Sequence, residues 1–393
     1  MGNGSYALSQ FLTIIIISRF LGAENVGIYS FALAIVTPLL IFLNLGLRMQ
    51  LMTDIKREVP IAVYKKAQIL ASCIGMIAIL LLCFIFKLEY EISVIAILIG
   101  LMKSIEYQSE LYYGYLQRNR LNKIVSYSLF VKSIAFVFSI ILGVYLEQSL
   151  INTVFYAALF YCIVGFIFDR RNINKNIEIL NEKITKKYLL KILQIGLPLS
   201  LSTLLISLNV NFPRIILGKY DIEQLGYFAS VVAFMQIGTL LVVSVGQVFS
   251  GKMANFYHSG DFKKYYNIAS IGIAIAFLIG LFAILFSYLL GEKIMKNLLD
   301  HNNSDNLMTY IFLMAPFQYM MTIFGYIQGA TRKSKNLLIV NILVFTVVSV
   351  LSLLLIPNYK IYGMISAMLI ASILGCFIYA FILIKGYNKQ VIS

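Results

Sequence analysis

The sequence predicts an all-α, polytopic membrane protein with twelve transmembrane helices in two six-helix pseudo-repeated bundles. Three observations carry that prediction. The 393 residues are 60% hydrophobic and only 12% charged, whereas soluble domains carry about a quarter charged residues. The apolar residues fall into runs close to the roughly 17–25 residues that a ~30 Å hydrocarbon core requires. The second six runs echo the first at an offset of roughly 200 residues, as a parallel repeat does.

In order, the predicted spans are 3–20, 26–46, 67–86, 92–116, 124–146 and 150–168, then 189–212, 225–249, 265–290, 308–330, 336–356 and 361–386. The first is barely long enough, and Gly2 and Gly4 weaken its start; a short helix and a start upstream both fit. No cleavable signal peptide is visible, because no small-residue cleavage site separates the first two spans. Pro198 and Pro316 each remove a backbone hydrogen bond within a span, which predicts kinks, and Pro198 is the hinge candidate.

The one long polar interruption, Asp169–Lys191, carries Arg170, Arg171, Lys175, Lys183, Lys186, Lys187 and Lys191 against Asp169, Glu178 and Glu182. The domains expected are therefore an N-terminal bundle over 1–168, a basic connector over 169–188 and a C-terminal bundle over 189–393. Lysine and arginine in alternate loops number 23 on one side and 7 on the other. By the positive-inside rule both termini and the connector are cytoplasmic.

The repeat includes polar residues in a common order. Lys65-Lys66 with Ala71-Ser72 returns as Lys263-Lys264 with Ala269-Ser270, and Gly114-Tyr115-Leu116-Gln117 returns as Gly325-Tyr326-Ile327-Gln328. The net charge of +15 is spread between hydrophobic spans rather than gathered in one patch, which speaks for membrane anchoring and against nucleic acid. Cys73, Cys83, Cys162 and Cys376 lie in apolar runs without paired spacing and read as small buried apolar residues. Gly246–Met253 nearly spells a phosphate-binding loop, but Met253 replaces the required hydroxyl residue and the segment closes a hydrophobic helix. His258, His301 and the acidic run Asp300–Asp305 read as solvated loops. With no catalytic grouping present, no enzyme activity, cofactor or metal is expected, and the driving force must be an ion gradient, the membrane potential or the substrate's own gradient.

The fourth span is the most informative. Lys103, Glu106, Tyr107, Glu110, Gly114 and Gln117 recur at spacings of three and four and so share one face. Three charges at mid-span do not face lipid. Lys103 is expected to pair with Glu106, and Lys132 of the fifth span with Glu110. Three overlapping roles stand for this group: a structural ion-pair network, a lining of the transport path, and a proton-coupling carboxylate at Glu106 or Glu110. The matching tenth span has Met314, Phe317, Gln318 and Met321 at these levels and no charge.

The segments SRFLGAENVGIYSFALAI, LGLRMQ and IGLPLSLSTLLISLNVNFPRIILGKY resemble those of Wzx-type polysaccharide repeat-unit (O-antigen) flippases. That family belongs to the superfamily that also holds multidrug and toxic-compound extrusion carriers and lipid II flippases. The resemblance spans both halves; Pro213 departs from it, standing where many relatives have an acidic residue before Arg214, as does the missing polar tail before the first span. It implies two bundles around a central cleft lined by spans 1, 2, 7 and 8. It also implies alternating access and a lipid-linked oligosaccharide, carried on undecaprenyl pyrophosphate, as substrate at the bacterial cytoplasmic (inner) membrane. Implied partners are membrane lipids, H+ or Na+ as coupling ion, and polysaccharide polymerase machinery. Arg19, Arg48 and Arg214 then become candidates for gripping pyrophosphate, together with Lys103 and Lys132; the ordinary alternative for an arginine at a span end is snorkelling to lipid headgroups. Arg19, Arg48 and Arg214 lie near the expected cleft without an obvious fixed carboxylate, although Glu24 and Asp54 are close in sequence. The rival functions are a cation-coupled drug exporter and a lipid II flippase of the same fold.

Overall fold

The computed structural model describes residues 2–54, 57–165, 186–299, 306–331 and 334–388. The connector over 169–185, the acidic run Asp300–Asp305 with His301, and Lys56, Arg332, Lys333 and Lys389 lie outside the described residues. The described chain is helical throughout, with thirteen helices. They are α1 (Gly2–Leu21), α2 (Ala23–Leu43), α3 (Leu47–Thr53), α4 (Ile61–Ile85), α5 (Tyr90–Arg118), α6 (Asn122–Glu147) and α7 (Leu150–Val164). After the connector come α8 (Lys186–Tyr220), α9 (Ile222–His258), α10 (Phe262–Leu298), α11 (Leu307–Phe312), α12 (Ala315–Ala330) and α13 (Ser334–Tyr387).

Ten helical segments among the described residues are long and apolar enough to cross a membrane, and α7 is a shorter apolar helix beside them. The 54-residue α13 is two helices in one, because Lys360 leaves helical geometry at φ 46° and ψ −121°. Counting its two arms and α7 separately, the described residues hold twelve apolar segments, the number that the sequence predicts. Backbone groups have no water to bond in hydrocarbon, so uninterrupted helices are the stable solution.

The helices of the second half outrun their predicted lengths: α9 and α10 have 37 residues each. Polar residues such as Lys252 and Lys263 stay helical because a helix leaving the bilayer meets no signal to stop. The near-match to a phosphate-binding loop at Gly246–Met253 therefore lies inside α9 rather than at its end. Pro316 behaves as expected: the tenth predicted span splits into α11 and α12, with Pro316 in the first turn of the latter. Pro198 sits within α8, which remains helical through it. Of the four cysteines only Cys376 is buried, and Cys73 is exposed. Lipid is as apolar as a protein core, so an apolar run does not say which way each of its residues turns.

The chain forms two compact units, Met1–Asn211 and Phe212–Ser393; the first includes α8 as far as Asn211. Within the first unit, Leu47, Leu51, Val63, Tyr64, Leu111 and Ile192 form a buried cluster joining α3, α4, α5 and α8. A second cluster, including Met102, Phe136, Ile140, Ala157 and Tyr161, joins α5, α6 and α7. Within the second unit, the Tyr319 hydroxyl donates to the Met235 carbonyl at 2.6 Å, and Phe324 stacks on Tyr379 with centroids 5.1 Å apart. Gly280 lets α10 cross the start of α12 closely: a Cβ there would lie 2.3 Å from Pro316 Cα.

The break at Lys360 is held from the turn between α8 and α9. Lys360 Nζ donates to Asp221 Oδ2 at 2.8 Å, and the Ile361 N–H, freed by the break, finds Gln224 Oε1 at 3.0 Å. Asp221 also caps α9 by accepting from the Gln224 N–H at 3.1 Å. Partial burial alone would raise the Asp221 carboxyl, but the bonds from Lys360 and Gln224 outweigh it and hold the group below the usual range.

Candidate functional site

The polar face of α5 is the centre of a charged cluster inside the first unit. Lys103 and Glu106 are one turn apart, and Lys103 Nζ donates to Glu106 Oε2 at 2.7 Å, the pairing expected from the sequence. The other Glu106 oxygen accepts from the Tyr6 hydroxyl of α1 at 2.7 Å. Lys103 Nζ also reaches the Tyr6 oxygen, at 3.3 Å. Both Glu106 oxygens are thus engaged, in the short range typical of charge-assisted bonds.

One turn further along, the arrangement is looser. Arg48 stands in the first turn of α3, just past a break where Leu45 and Gly46 take φ values of 51° and 60°. This left-handed geometry is costly for leucine. Gln50, only 4% exposed, supports it by donating to the Leu45 carbonyl at 2.8 Å and to the Ile192 carbonyl of α8 at 3.3 Å. α5 crosses this turn at Gly114, where a Cβ would lie 2.6 Å from the Arg48 carbonyl oxygen. The close crossing sets the Arg48 guanidinium between Glu110 and Gln117, which flank Gly114 on the same face. One terminal nitrogen lies 3.4 Å from Glu110 Oε1, the other 3.4 Å from Gln117 Oε1.

Arg48 therefore has a carboxylate partner that was not obvious in the sequence: it is Glu110, 62 positions along the chain, and not the nearby Asp54. The side chains of Arg48 and Glu110 are 31% and 28% exposed, so neither is fully enclosed. Lys132 of α6 is 1% exposed. Its ammonium lies over the rings of Tyr113 and Tyr161, 5.3 and 5.5 Å from their centroids, a cation–π seat between α5 and α7.

Arg19 is exposed at the end of α1. Arg214 belongs to the second unit, its guanidinium 5.8 Å from the Phe228 centroid, with Nε buried and unbonded among the described residues. Pro198 is exposed on α8. Sequence reasoning missed Tyr6 and Gln50. A tyrosine near the end of an apolar span reads as an interfacial anchor, and nothing local distinguishes a glutamine that braces a break.

Sequence and fold comparisons agree with this architecture. Residues 1–250 match the family model described as "Polysaccharide biosynthesis protein". The chain is 29% identical over 376 residues to the capsular polysaccharide biosynthesis protein CapF of Staphylococcus aureus, covering 91% of this chain and 90% of that one. Its fold resembles that of a MATE-family multidrug resistance transporter of the MOP superfamily (TM-score 0.78, 15% identity, 98% of this chain and 96% of that chain). It also resembles that of the lipid II flippase MurJ (TM-score 0.77, 16% identity, 100% of this chain and 89% of that chain). Since the family model takes in all of the first unit with its charged cluster and runs on into the second, the chain belongs to the polysaccharide biosynthesis protein family.

Proposed function

We propose that this multi-pass membrane protein is a flippase that translocates lipid-linked oligosaccharide repeat units for surface polysaccharide assembly, and that Arg48 grips the substrate's phosphate. A bare sugar-phosphate head faces a prohibitive barrier in hydrocarbon, because each unbonded polar group costs several kcal/mol. A polar cluster inside a helical bundle lowers that barrier. The observation that carries the reading is the loosely held Arg48. Both of its contacts are 3.4 Å long, well beyond the roughly 2.7–2.9 Å of a strong charge-assisted bond. A pyrophosphate, with at least two charges and a geometry suited to a guanidinium fork, competes well against the single Glu110 carboxylate for this group. Glu110 then acts as a placeholder that takes Arg48 back when the substrate leaves. Glu106, with both oxygens engaged, is assigned to holding α1 and α5 together, and the pairing of both acids leaves the cluster poorly suited to a cationic drug.

The undecaprenyl carrier, alternating access and coupling to H+ or Na+ belong to the same proposal. The test is a deletion strain: lipid-linked oligosaccharide should accumulate on the inner leaflet while drug sensitivity stays unchanged. A normal lipid-linked pool together with retention of cationic dyes would replace this reading with the exporter.

Cytoplasmic termini at the bacterial inner membrane are part of the proposal, supported by the 23-to-7 charge distribution. In a cysteine-free background, Glu147→Cys should react with an impermeant thiol reagent on intact cells and Asn119→Cys only after permeabilisation. The reverse pattern would invert the topology.

A further inference from the structure

A second amphipathic cleft lies in the other unit, far along the chain from the charged cluster. It has a volume of about 740 Å³ and is walled by the start of α10 and the end of α13, with Lys263, Lys264, Tyr266, Asn267, Ser270, Leu383, Ile384 and Tyr387 on its surface. Lys263, Tyr266 and Ser270 follow at three- and four-residue spacing and share one face of α10. Leu383 or Ile384 and Tyr387 do the same on α13.

The two helices meet edge-on through Tyr266 and Tyr387, whose ring centroids are 5.2 Å apart at 85°. Gly386 packs under the Tyr266 hydroxyl, where a Cβ would lie 2.5 Å from that oxygen. Tyr266 is fixed from behind by Tyr265, at 4.8 Å between centroids. The crevice therefore has a floor of packed tyrosine rings.

Its surface is zoned. From the tyrosine contact, Lys263 and Lys264 lie toward the end of the bundle, while Leu383, Ile384 and Ser270 lie a turn deeper. Lys264 bonds Asp261 at 2.7 Å, so its charge is partly answered. Lys263 is exposed and makes no ion pair or hydrogen bond among the described residues. Next to the deep end, Ile384, Phe381 and Phe377 are 61%, 67% and 72% exposed, an apolar surface of the kind that lipid chains cover on a membrane-spanning helix.

A cationic mouth with tyrosines at its edge, above a largely apolar wall, matches one chemistry, an anion carried on acyl chains. We infer that this cleft binds an anionic glycerophospholipid of the surrounding bilayer, its phosphate at Lys263, Lys264 and Tyr266 and its chains along Leu383 and Ile384. Charge complementarity and the adjoining lipid-facing residues choose the occupant. The inference needs only a membrane-embedded chain and is independent of the transported substrate. The pseudo-equivalent Lys65-Lys66 of α4 provides an internal control, because Gln68 and not a tyrosine follows it there and is buried.

Native mass spectrometry of the purified full-length protein tests it, with phosphatidylglycerol and phosphatidylcholine titrated in turn. Phosphatidylglycerol should bind at least about tenfold more tightly than phosphatidylcholine, as expected when pairing with charge contributes about 1.4 kcal/mol or more. Lys263→Gln with Lys264→Gln should erase that preference, and Lys65→Gln with Lys66→Gln should leave it intact. A photoactivatable phosphatidylglycerol should mark residues 263–270 and 383–387 in the unmodified protein, a readout that does not depend on any variant folding. Equal binding of the two lipids, an unchanged preference in the first double variant, or crosslinks confined to other helices would overturn the assignment. So would displacement of the photolipid by stoichiometric lipid-linked pyrophosphate, which would make the cleft a substrate site.

Discussion

Arg48→Ala should reduce export of surface polysaccharide by roughly 10- to 100-fold while leaving the protein folded in the membrane. The magnitude follows from losing a charged hydrogen-bonding group worth about 1.5–3 kcal/mol to the phosphate, at about 1.4 kcal/mol per factor of ten. Folding should survive because the Arg48–Glu110 contact is long, at 3.4 Å, and neither side chain is fully enclosed. Arg48→Lys should fall between, since lysine keeps the charge and loses the planar fork. Glu110→Gln should act in the opposite sense on binding: without its placeholder, Arg48 should hold the lipid-linked pyrophosphate more tightly and release it more slowly. The double variant separates the roles. If the pair were only structural, Arg48→Ala with Glu110→Gln would restore export. If Arg48 grips substrate, export stays low in the double variant although expression is normal in both. Export matching the unmodified protein in the double variant would remove Arg48 from the binding site.

Gly114→Ala and Gly325→Ala should part sharply, although the sequence repeat makes them equivalents. A Cβ at Gly114 would meet the backbone of Arg48, at 2.6 Å from its carbonyl oxygen and 3.3 Å from its Cα. Backbone cannot swing aside as a side chain does, so α3 and α5 must separate, at a cost of about 1–3 kcal/mol for an overpacked contact. The shift also moves Arg48 away from Glu110 and Gln117, so export should fall with stability. At Gly325 nothing lies within 4 Å; alanine there gains helix propensity, up to about 1 kcal/mol. Melting of the two purified variants, followed by a thiol-reactive dye, should show one lowered midpoint and one unchanged or raised. Equal midpoints would mean that α3 and α5 do not cross at Gly114.

Arg48 shows why the cluster was only half legible. Lys103 and Glu106 are three residues apart on one helix, and helical periodicity alone brings them together. Glu110 and Arg48 are brought together by a break at Leu45–Gly46, braced by a glutamine reaching α8. No local pattern marks a leucine in left-handed geometry. Tyr6 escaped for the same reason, since its partner Glu106 is a hundred residues away in the chain.

Composition, run length and charge by themselves determined that this chain is an all-α membrane protein of twelve apolar segments. They did so because hydrocarbon admits few backbone solutions and the bilayer thickness sets segment length. The repeated polar residues likewise pointed to two related halves, and the spacing on α5 showed that charge lies within the bundle. Tertiary structure alone decided which cation meets which carboxylate and which of two matching glycines is pressed against backbone. It also decided that the Lys263-Lys264 pair stands at a cleft beside Tyr266 and Tyr387. These depend on where helices cross, and in an apolar medium the crossings are selected by close packing between residues distant in the chain, which no local pattern encodes.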